Sequence, residues 1–188
     1  MKKKKKAFTL LELIITLSIT IIVLGTIYAF FLSNTKTMKI TEINTDLQTE
    51  SQKIQSEFLK YGTEANGIYS INGSEIKDNN MLYEDVLDEN GKLDVTDITF
   101  NVENNKYKYT FIKSTGVLKL LKNSEEVESY NNIKEIKIRP LDYRMKPDGK
   151  FNEANGIEVS FVLNIKKSYS DVTIPSSVIV KFRNNKTS

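Results

Sequence analysis

Phe8 to Leu32 read FTLLELIITLSITIIVLGTIYAFFL, an apolar run whose one charged residue is Glu12. As an α-helix, these 25 residues rise about 37 Å, more than the roughly 30 Å hydrocarbon core of a bilayer. A removable secretory signal has a shorter apolar region, of roughly 7 to 15 residues, and ends in a small-x-small cleavage site. No such site is evident around residues 28–30. The run therefore predicts a helix that spans the membrane and stays in the protein.

A block of five lysines, Lys2 to Lys6, precedes the apolar run. Basic residues that flank a membrane helix remain in the cytoplasm. The sequence therefore predicts a single-pass protein of the cell membrane, with its N-terminus inside and everything after Leu32 outside.

Glu12 needs a partner, because a carboxylate within a membrane helix costs a few kcal/mol unless it is paired or lies near the interface. Cleavage of the chain between Ala7 and Phe8 would create a free amine on Phe8, about one helical turn from Glu12. Pairing of this amine with the carboxylate of the same chain would strain the first turn. Pairing with Glu12 of a neighbouring chain would satisfy both charges in a dry helical bundle. The charge pattern therefore predicts assembly.

The sequence KAFTLLELI, Lys6 to Ile14, resembles the prepilin cleavage and methylation motif of type IV pilins and of the pseudopilins of type II secretion and competence systems. The resemblance implies that a membrane prepilin peptidase cuts between Ala7 and Phe8 and methylates Phe8, and that Glu12 guides docking into a growing filament. Glycine is the usual family residue before the cut, so Ala7 departs from the pattern. The implied partners are the prepilin peptidase, other pilin subunits and an inner-membrane assembly platform.

The sequence divides into four segments. Residues 1–7 are predicted to be a cytoplasmic leader that is removed, and residues 8–32 a transmembrane and filament-core helix. Residues 33–62 are predicted to continue that helix as an amphipathic stretch, and residues 63–188 to form an extracytoplasmic, β-rich head.

The amphipathic stretch has apolar residues at three- and four-residue steps, as expected of a helix with one buried face. These residues are Ile40, Ile43, Leu47, Ile54, Phe58 and Tyr61. No proline interrupts residues 8–61, so the pattern predicts one helix of about 54 residues that ends near Gly62.

Residues after Asn66 alternate between apolar and polar, most clearly from Ile157 to Ile165, and turn sequences such as Asn72-Gly73 separate the alternating runs. Six to nine short, mostly antiparallel strands are expected. The predicted fold class is α+β, with a long N-terminal helix packed on a C-terminal antiparallel β-sheet domain, the lollipop form of a pilin. A loop over residues 140–155 is expected to be an exposed surface suited to recognition.

Composition argues against an enzyme. The chain has no histidine, cysteine or tryptophan, so histidine-based acid–base catalysis, thiol nucleophiles and disulfides are ruled out. No cofactor is expected.

Without the five leader lysines the net charge is −2, from 22 basic and 24 acidic residues. Residues 66–130 carry 7 basic and 12 acidic residues, and residues 131–188 carry 11 and 6. This asymmetry fits either head-to-tail contacts between subunits or charges that are solvated or paired within one domain.

Three further stretches are weaker candidates for a binding site. Asp88, Asn90, Asp94 and Asp97 half-match a calcium-binding loop, but Val86 occupies the first ligand position and no flanking helices are evident. A solvated acidic turn is therefore favoured, and no metal is predicted. Lys106 to Tyr109 interleave cations and aromatic rings that could neutralise and stack on single-stranded DNA, and the basic tail of Lys181, Arg183 and Lys186 is equally ambiguous as a site for DNA. For Lys106 to Tyr109, a strand with its tyrosines buried and its lysines exposed is favoured. DNA or a host surface is therefore unsupported as a partner.

The sequence as a whole predicts a structural subunit, a minor pilin or pseudopilin, of a type IV pilus or a pilus-like filament, which leaves the membrane for an extracellular filament. Two alternatives remain within this class: a binding module at the filament tip, for adhesion or DNA uptake, and a type II secretion pseudopilin. An uncleaved membrane-anchored domain unrelated to pili is a third alternative. The order of elements loosely resembles W-type minor pilins and J-type pseudopilins.

Overall fold

Helix α1 runs from Leu10 to Glu64 without interruption in the computed structural model, which describes residues 9–76 and 81–183. The prediction of one helix that joins the apolar run to the amphipathic stretch is confirmed over these residues. The chain divides into two compact units, Met1–Glu42 and Ile43–Ser188. The first 33 residues of α1 lie in the first unit, and the helix ends within the second.

The second unit contains a short helix, a 3₁₀ turn and, in the described residues, ten β-strands. In chain order these are β1 (Ile68–Ile71), β2 (Ser74–Glu75), α2 (Tyr83–Val86), β3 (Leu93–Asp94), β4 (Asp97–Val102), β5 (Asn105–Ile112), β6 (Val117–Lys122), β7 (Glu125–Tyr130), β8 (Ile133–Pro140), the 3₁₀ turn (Phe151–Glu153), β9 (Gly156–Lys167) and β10 (Ser170–Lys181).

The strands form two antiparallel sheets. The six-stranded sheet has the order β2-β1-β4-β5-β6-β7, and the four-stranded sheet has the order β10-β9-β8-β3. Strand β3 precedes β4 in the chain but pairs with β8, so the chain changes sheets twice in this region. A long N-terminal helix followed by antiparallel sheets is the predicted α+β layout, and this fold class is confirmed.

The amphipathic part of α1 packs on both sheets of the second unit. Its buried positions recur every three or four residues: Ile43, Leu47, Ser51, Ile54, Phe58 and Gly62. The Phe58 ring stacks on Tyr109 of β5 with centroids 4.0 Å apart, and meets Phe100 of β4 edge-on at 6.5 Å. On the other sheet, the Ser51 hydroxyl lies 2.6 Å from the Ser176 hydroxyl of β10. The helix therefore supplies the core between the sheets.

Helix α1 ends at Glu64, two residues after Gly62 and therefore near the predicted end. A Cβ at position 62 would lie only 2.4 Å from Val180 Cγ1 on β10. Glycine at this position therefore allows β10 to approach the last turn of α1 closely, and its role is packing rather than helix termination.

The strand count of six to nine was too low and two strands are longer than expected. Strands β9 and β10 are 12 residues each and pair along their full length. The first half of β10 is hard to recognise in the sequence, because Ser170, Asp171 and Pro175 are not typical of a strand. A proline is tolerated because β10 is an edge strand, where the missing N–H can face away from β9.

Candidate functional site

The candidate site lies at the start of α1, in an apolar helix segment that no part of the described chain covers. All side chains from Leu10 to Leu32 are exposed. The helix is long and apolar enough to cross a membrane. An apolar surface of this size in water would be unfavourable, so the segment suits a lipid or a helix-bundle environment.

Polar side chains in this segment bond to their own helix. The hydroxyl of Thr16 donates to the carbonyl of Glu12 at 2.9 Å, that of Ser18 to Ile14 at 2.8 Å and that of Thr20 to Thr16 at 2.8 Å. These bonds satisfy each hydroxyl donor without a water molecule, as a hydrocarbon environment requires. Glu12 is then the one ionisable group of the segment apart from the phenol of Tyr28.

Glu12 and Thr9 form a capping box at the N-terminus of α1. The Glu12 N–H donates to Thr9 Oγ1 at 3.2 Å, while Glu12 Oε2 accepts from the Thr9 N–H at 3.0 Å and from the Thr9 hydroxyl at 2.9 Å. The Thr9 carbonyl accepts the first bond of the helix, from the Leu13 N–H at 3.2 Å. The pair Thr-x-x-Glu is the sequence signature of this arrangement. Charge alone does not indicate Thr9, because its hydroxyl and its N–H are uncharged partners for Glu12.

Ala7 and Phe8, the residues that flank the predicted cut, lie outside the described residues. The leader lysines lie outside them too. The predicted contact between the Phe8 amine and Glu12 of a neighbour therefore stays a prediction.

The residues that half-match a calcium-binding loop form hydrogen bonds and ion pairs within the chain. Asp88 Oδ1 accepts from the N–H groups of Asn90 at 2.9 Å and Lys92 at 2.8 Å. The Lys92 N–H is the main cause that holds the pKa of Asp88 below its usual value. Lys137 Nζ lies 4.0 Å from Asp88 and 3.5 Å from Asp94. A lysine therefore stands between two of the proposed metal ligands.

Asp97, the third acidic residue of that half-matched loop, has other partners. Asp97 Oδ1 accepts from the Gly73 N–H at 3.2 Å and lies 3.3 Å from Lys108 Nζ. Within residues 9–76 and 81–183, no group of three or more acidic side chains could hold a metal ion. The Lys137 contacts also join the acidic and basic halves of the head, which supports pairing of opposite charges within one domain.

A polar groove of about 600 Å³ adjoins this turn. Four cations line it, but three carboxylates do so as well. One of its cations, Arg139, already pairs with Glu158 at 2.5 Å. Since the charges are nearly balanced, the groove shows no clear preference for an anionic ligand.

The strand with alternating lysines and tyrosines packs as the favoured interpretation predicts. Tyr107 and Tyr109 of β5 are buried, whereas Lys106 lies 4.0 Å from the centroid of the Tyr69 ring and Lys108 pairs with Asp97. The tyrosines are thus not available to stack on a nucleic-acid base. In the basic tail, Lys181 and Arg183 are exposed, and Lys186 lies outside the described residues.

The loop over residues 140–155 is exposed at its tip and anchored at its base. Residues 144–148 are exposed. Tyr83 of α2 is fully buried beneath the loop, and its hydroxyl donates to Asp142 Oδ1 at 2.8 Å. Burial raises the pKa of Tyr83 well above its usual value, so the phenol remains a donor. This anchor has no periodic signal in the sequence, because Tyr83 belongs to a helix of only four residues.

Comparison with known proteins agrees with the N-terminal resemblance. Residues 2–28 match the family model described as the prokaryotic N-terminal methylation motif. Neither curated proteins nor solved structures give a match. The matched residues include Thr9 and Glu12, the two side chains of the capping box.

Proposed function

We propose that this type IV pilin-like chain is a structural subunit, a minor pilin or pseudopilin, of a pilus or pilus-like filament. One observation carries the proposal: the methylation motif over residues 2–28 overlaps the exposed apolar segment of residues 10–32, in which Glu12 is the only carboxylate. The motif implies processing by a prepilin peptidase and assembly with other pilins. The long helix followed by antiparallel sheets agrees with this role.

Processing changes the charge at the N-terminus. Removal of residues 1–7 deletes five lysines and creates an amine on Phe8, which is adjacent to Thr9 in the chain. In the membrane this amine and the Glu12 carboxylate are each costly to leave unpaired. When helices of neighbouring chains pack together, the amine of one chain and Glu12 of the next neutralise each other. Assembly thereby removes two uncompensated charges at once.

The rest of the apolar run provides the surface for packing. Residues 10–32 expose leucine, isoleucine and phenylalanine side chains on all sides. A helix that is apolar all round suits both states in the proposal, first a membrane anchor and then the centre of a filament. The head remains outside the membrane and the filament centre, since the second unit of the chain, Ile43–Ser188, has a hydrophobic core of its own.

The proposal is tested by comparing cells with and without the prepilin peptidase. Filaments are sheared from the cells, and the chain is quantified in the sheared and membrane fractions. With the peptidase we expect the chain in both fractions. Without it we expect the chain in the membrane fraction alone, because the uncut leader leaves no amine for the neighbouring Glu12. Equal amounts in the sheared fractions of both strains would contradict the proposal.

A further inference from the structure

The outermost strands β7 and β10 lie on different flanks of α1 in the second unit. Strand β7 ends the six-stranded sheet, and β10 ends the four-stranded sheet. Directly after β7, the Asn131 N–H donates to Glu50 Oε1 of α1 at 2.6 Å. On β10, the Ser176 hydroxyl accepts from Gln55 Nε2 of α1 at 2.6 Å. Positions 50 and 55 point about 140° apart around a helix, so α1 has β7 on one flank and β10 on the other.

The flank formed by β7 is acidic. Five of the six β7 residues are exposed, and only Tyr130 is buried. Glu126 pairs with Lys119 of β6 at 2.7 Å. Glu125 and Glu128 form no ion pair within the described residues. Burial is the main cause that raises the pKa of Tyr130 above its usual value, and nearby carboxylates of α1 and β7 add to it. Unpaired negative charge is therefore concentrated along β7.

The end of the β9–β10 hairpin is basic. Strand β8 begins opposite Leu163 of β9, so the hairpin extends past β8 in the sheet. Lys166 and Lys167 lie in this extension, are exposed, and have no ion-pair partner in the part of the chain that the structure describes. Asp171, the one carboxylate of the extension, accepts from Asn164 Nδ2 at 2.7 Å. This basic hairpin end therefore presents positive charge that the described residues do not pair.

The acidic strand β7 and the basic hairpin end are complementary only when they belong to different copies in a head-to-tail contact. A contact of β7 with β7, or of hairpin with hairpin, would place like charges opposite each other, which is unfavourable. A contact of the hairpin end with β7 of the next copy brings opposite charges together. Such a contact leaves one surface free on each outer copy, so it generates an open series unless the rotation closes a ring. The charge pattern therefore favours another copy of this chain as the partner.

A contact between charged surfaces is weak by itself, because water and salt screen exposed ion pairs. Assembly through the apolar segment changes this, since it holds the second units of neighbouring copies at a high local concentration. A contact too weak to form between free chains can then form within the assembly. Pairing also reduces the repulsion among the unpaired carboxylates of β7.

We propose that the basic hairpin end of one copy, with Lys166 and Lys167, binds the β7 strand of the next copy, with Glu125 and Glu128. This inference rests on the proposed function. It adds that copies of this chain are direct neighbours through their second units, in a head-to-tail order that β7 and the hairpin end determine.

Cross-linking tests the contact directly, because the chain has no cysteine of its own. Glu128→Cys and Lys167→Cys are introduced into one full-length chain, and sheared filaments are treated with a short bismaleimide reagent. A reagent is used because a disulfide needs Cα atoms within about 7 Å of each other. We expect a series of covalent dimers, trimers and larger species, whereas each single-cysteine variant stays monomeric. Glu128→Cys with Lys181→Cys is the matched control and should also stay monomeric, since Lys181 is exposed at the other end of β10.

Charge reversal provides a second measurement, in which the amount of chain in sheared filaments is divided by the amount of cleaved chain in membranes. Glu125→Lys with Glu128→Lys reverses the acidic strand, and Lys166→Glu with Lys167→Glu reverses the hairpin end. We expect each reversal to lower the ratio about tenfold, because like charges then face each other. All four substitutions in one chain restore opposite charges, so the ratio should return to within about twofold of the unchanged chain. Lys181→Glu should leave the ratio within about twofold as well.

The outcomes separate this inference from the proposed function. Restoration by the four substitutions would support the contact, because a folding defect is not repaired by further substitutions. If both reversals enter filaments normally and the cysteine pair gives no cross-linked series, the inference is wrong and the proposed function stands. Cross-linking of the cysteines to a different protein would also overturn the inference, since the partner would then not be a second copy. Absence of the unchanged chain from sheared filaments would contradict the proposed function itself.

Discussion

Replacing Glu12 by alanine is expected to leave the chain in the membrane and cleaved, but to lower its amount in sheared filaments by at least about a hundredfold. Removing one partner of an ion pair in a dry environment costs roughly 3 to 5 kcal/mol, because the other charge remains buried and unpaired. In the variant, the unpaired charge is the Phe8 amine of the neighbouring chain. Insertion is not impaired, since alanine makes the apolar run more apolar.

Two control variants sharpen this result. Glu12→Gln keeps the size and can still accept from Thr9, but it lacks the charge, so it should also be excluded from filaments. Glu42→Ala removes a glutamate of the same helix outside the apolar run and should assemble normally. Normal incorporation of Glu12→Ala, at equal levels of cleaved chain, would contradict the role of Glu12.

Replacing Phe58 by alanine is expected to destabilise the head by about 3 to 5 kcal/mol, the usual cost of truncating a buried aromatic side chain. Phe58 is fully buried and stacks on Tyr109 at 4.0 Å. It lies on the helix that contacts both sheets, so its loss opens a cavity at the centre of the second unit. The adjacent Leu59 is 41% exposed, and Leu59→Ala should cost less than about 1 kcal/mol.

The two variants are compared by urea unfolding of the detergent-solubilised chain. Tyrosine signals in the near-ultraviolet circular dichroism report on packing, because the chain has no tryptophan and Tyr109 stacks directly on Phe58. If Phe58→Ala and Leu59→Ala shift the midpoint equally, the helix face assigned to the core is wrong.

The helix and its core-facing residues could be predicted from the sequence because their signal is local. Ile43, Leu47, Ile54 and Phe58 recur at helical steps, and all four are buried. The same holds for β5, where alternation of Tyr107, Tyr109 and Phe111 is strict. Periodicity therefore identified the elements in which one face is covered and the other is not.

Strands without a clean period were missed for identifiable reasons. Strand β8 has a register shift between Ile133 and Glu135, so its buried isoleucines do not alternate regularly. In β7 only Tyr130 is buried, because the strand lies at the edge of its sheet. The pairing of β3 with β8 joins residues far apart in the chain, and no local pattern indicates it. The division into two sheets thus depended on information that local patterns do not contain.

At the candidate site, sequence reasoning identified the important carboxylate but not its partner in the same chain. Charge arguments led to Glu12 because a charged group in an apolar run is conspicuous. Thr9 is inconspicuous, since four other hydroxyl residues, at positions 16, 18, 20 and 26, occur in the same run. The three-residue spacing from Thr9 to Glu12 was the available signal, and it is meaningful only at a helix N-terminus.

The proposed function is tested most directly by the intact mass of this chain recovered from sheared filaments. It predicts a single species that begins at Phe8 and carries one additional methyl group. Its presence would show that the chain is cut before Phe8, methylated and assembled. Recovery of the chain from membranes only, with Met1 and the five lysines still attached, would contradict the central claim that this is a processed filament subunit.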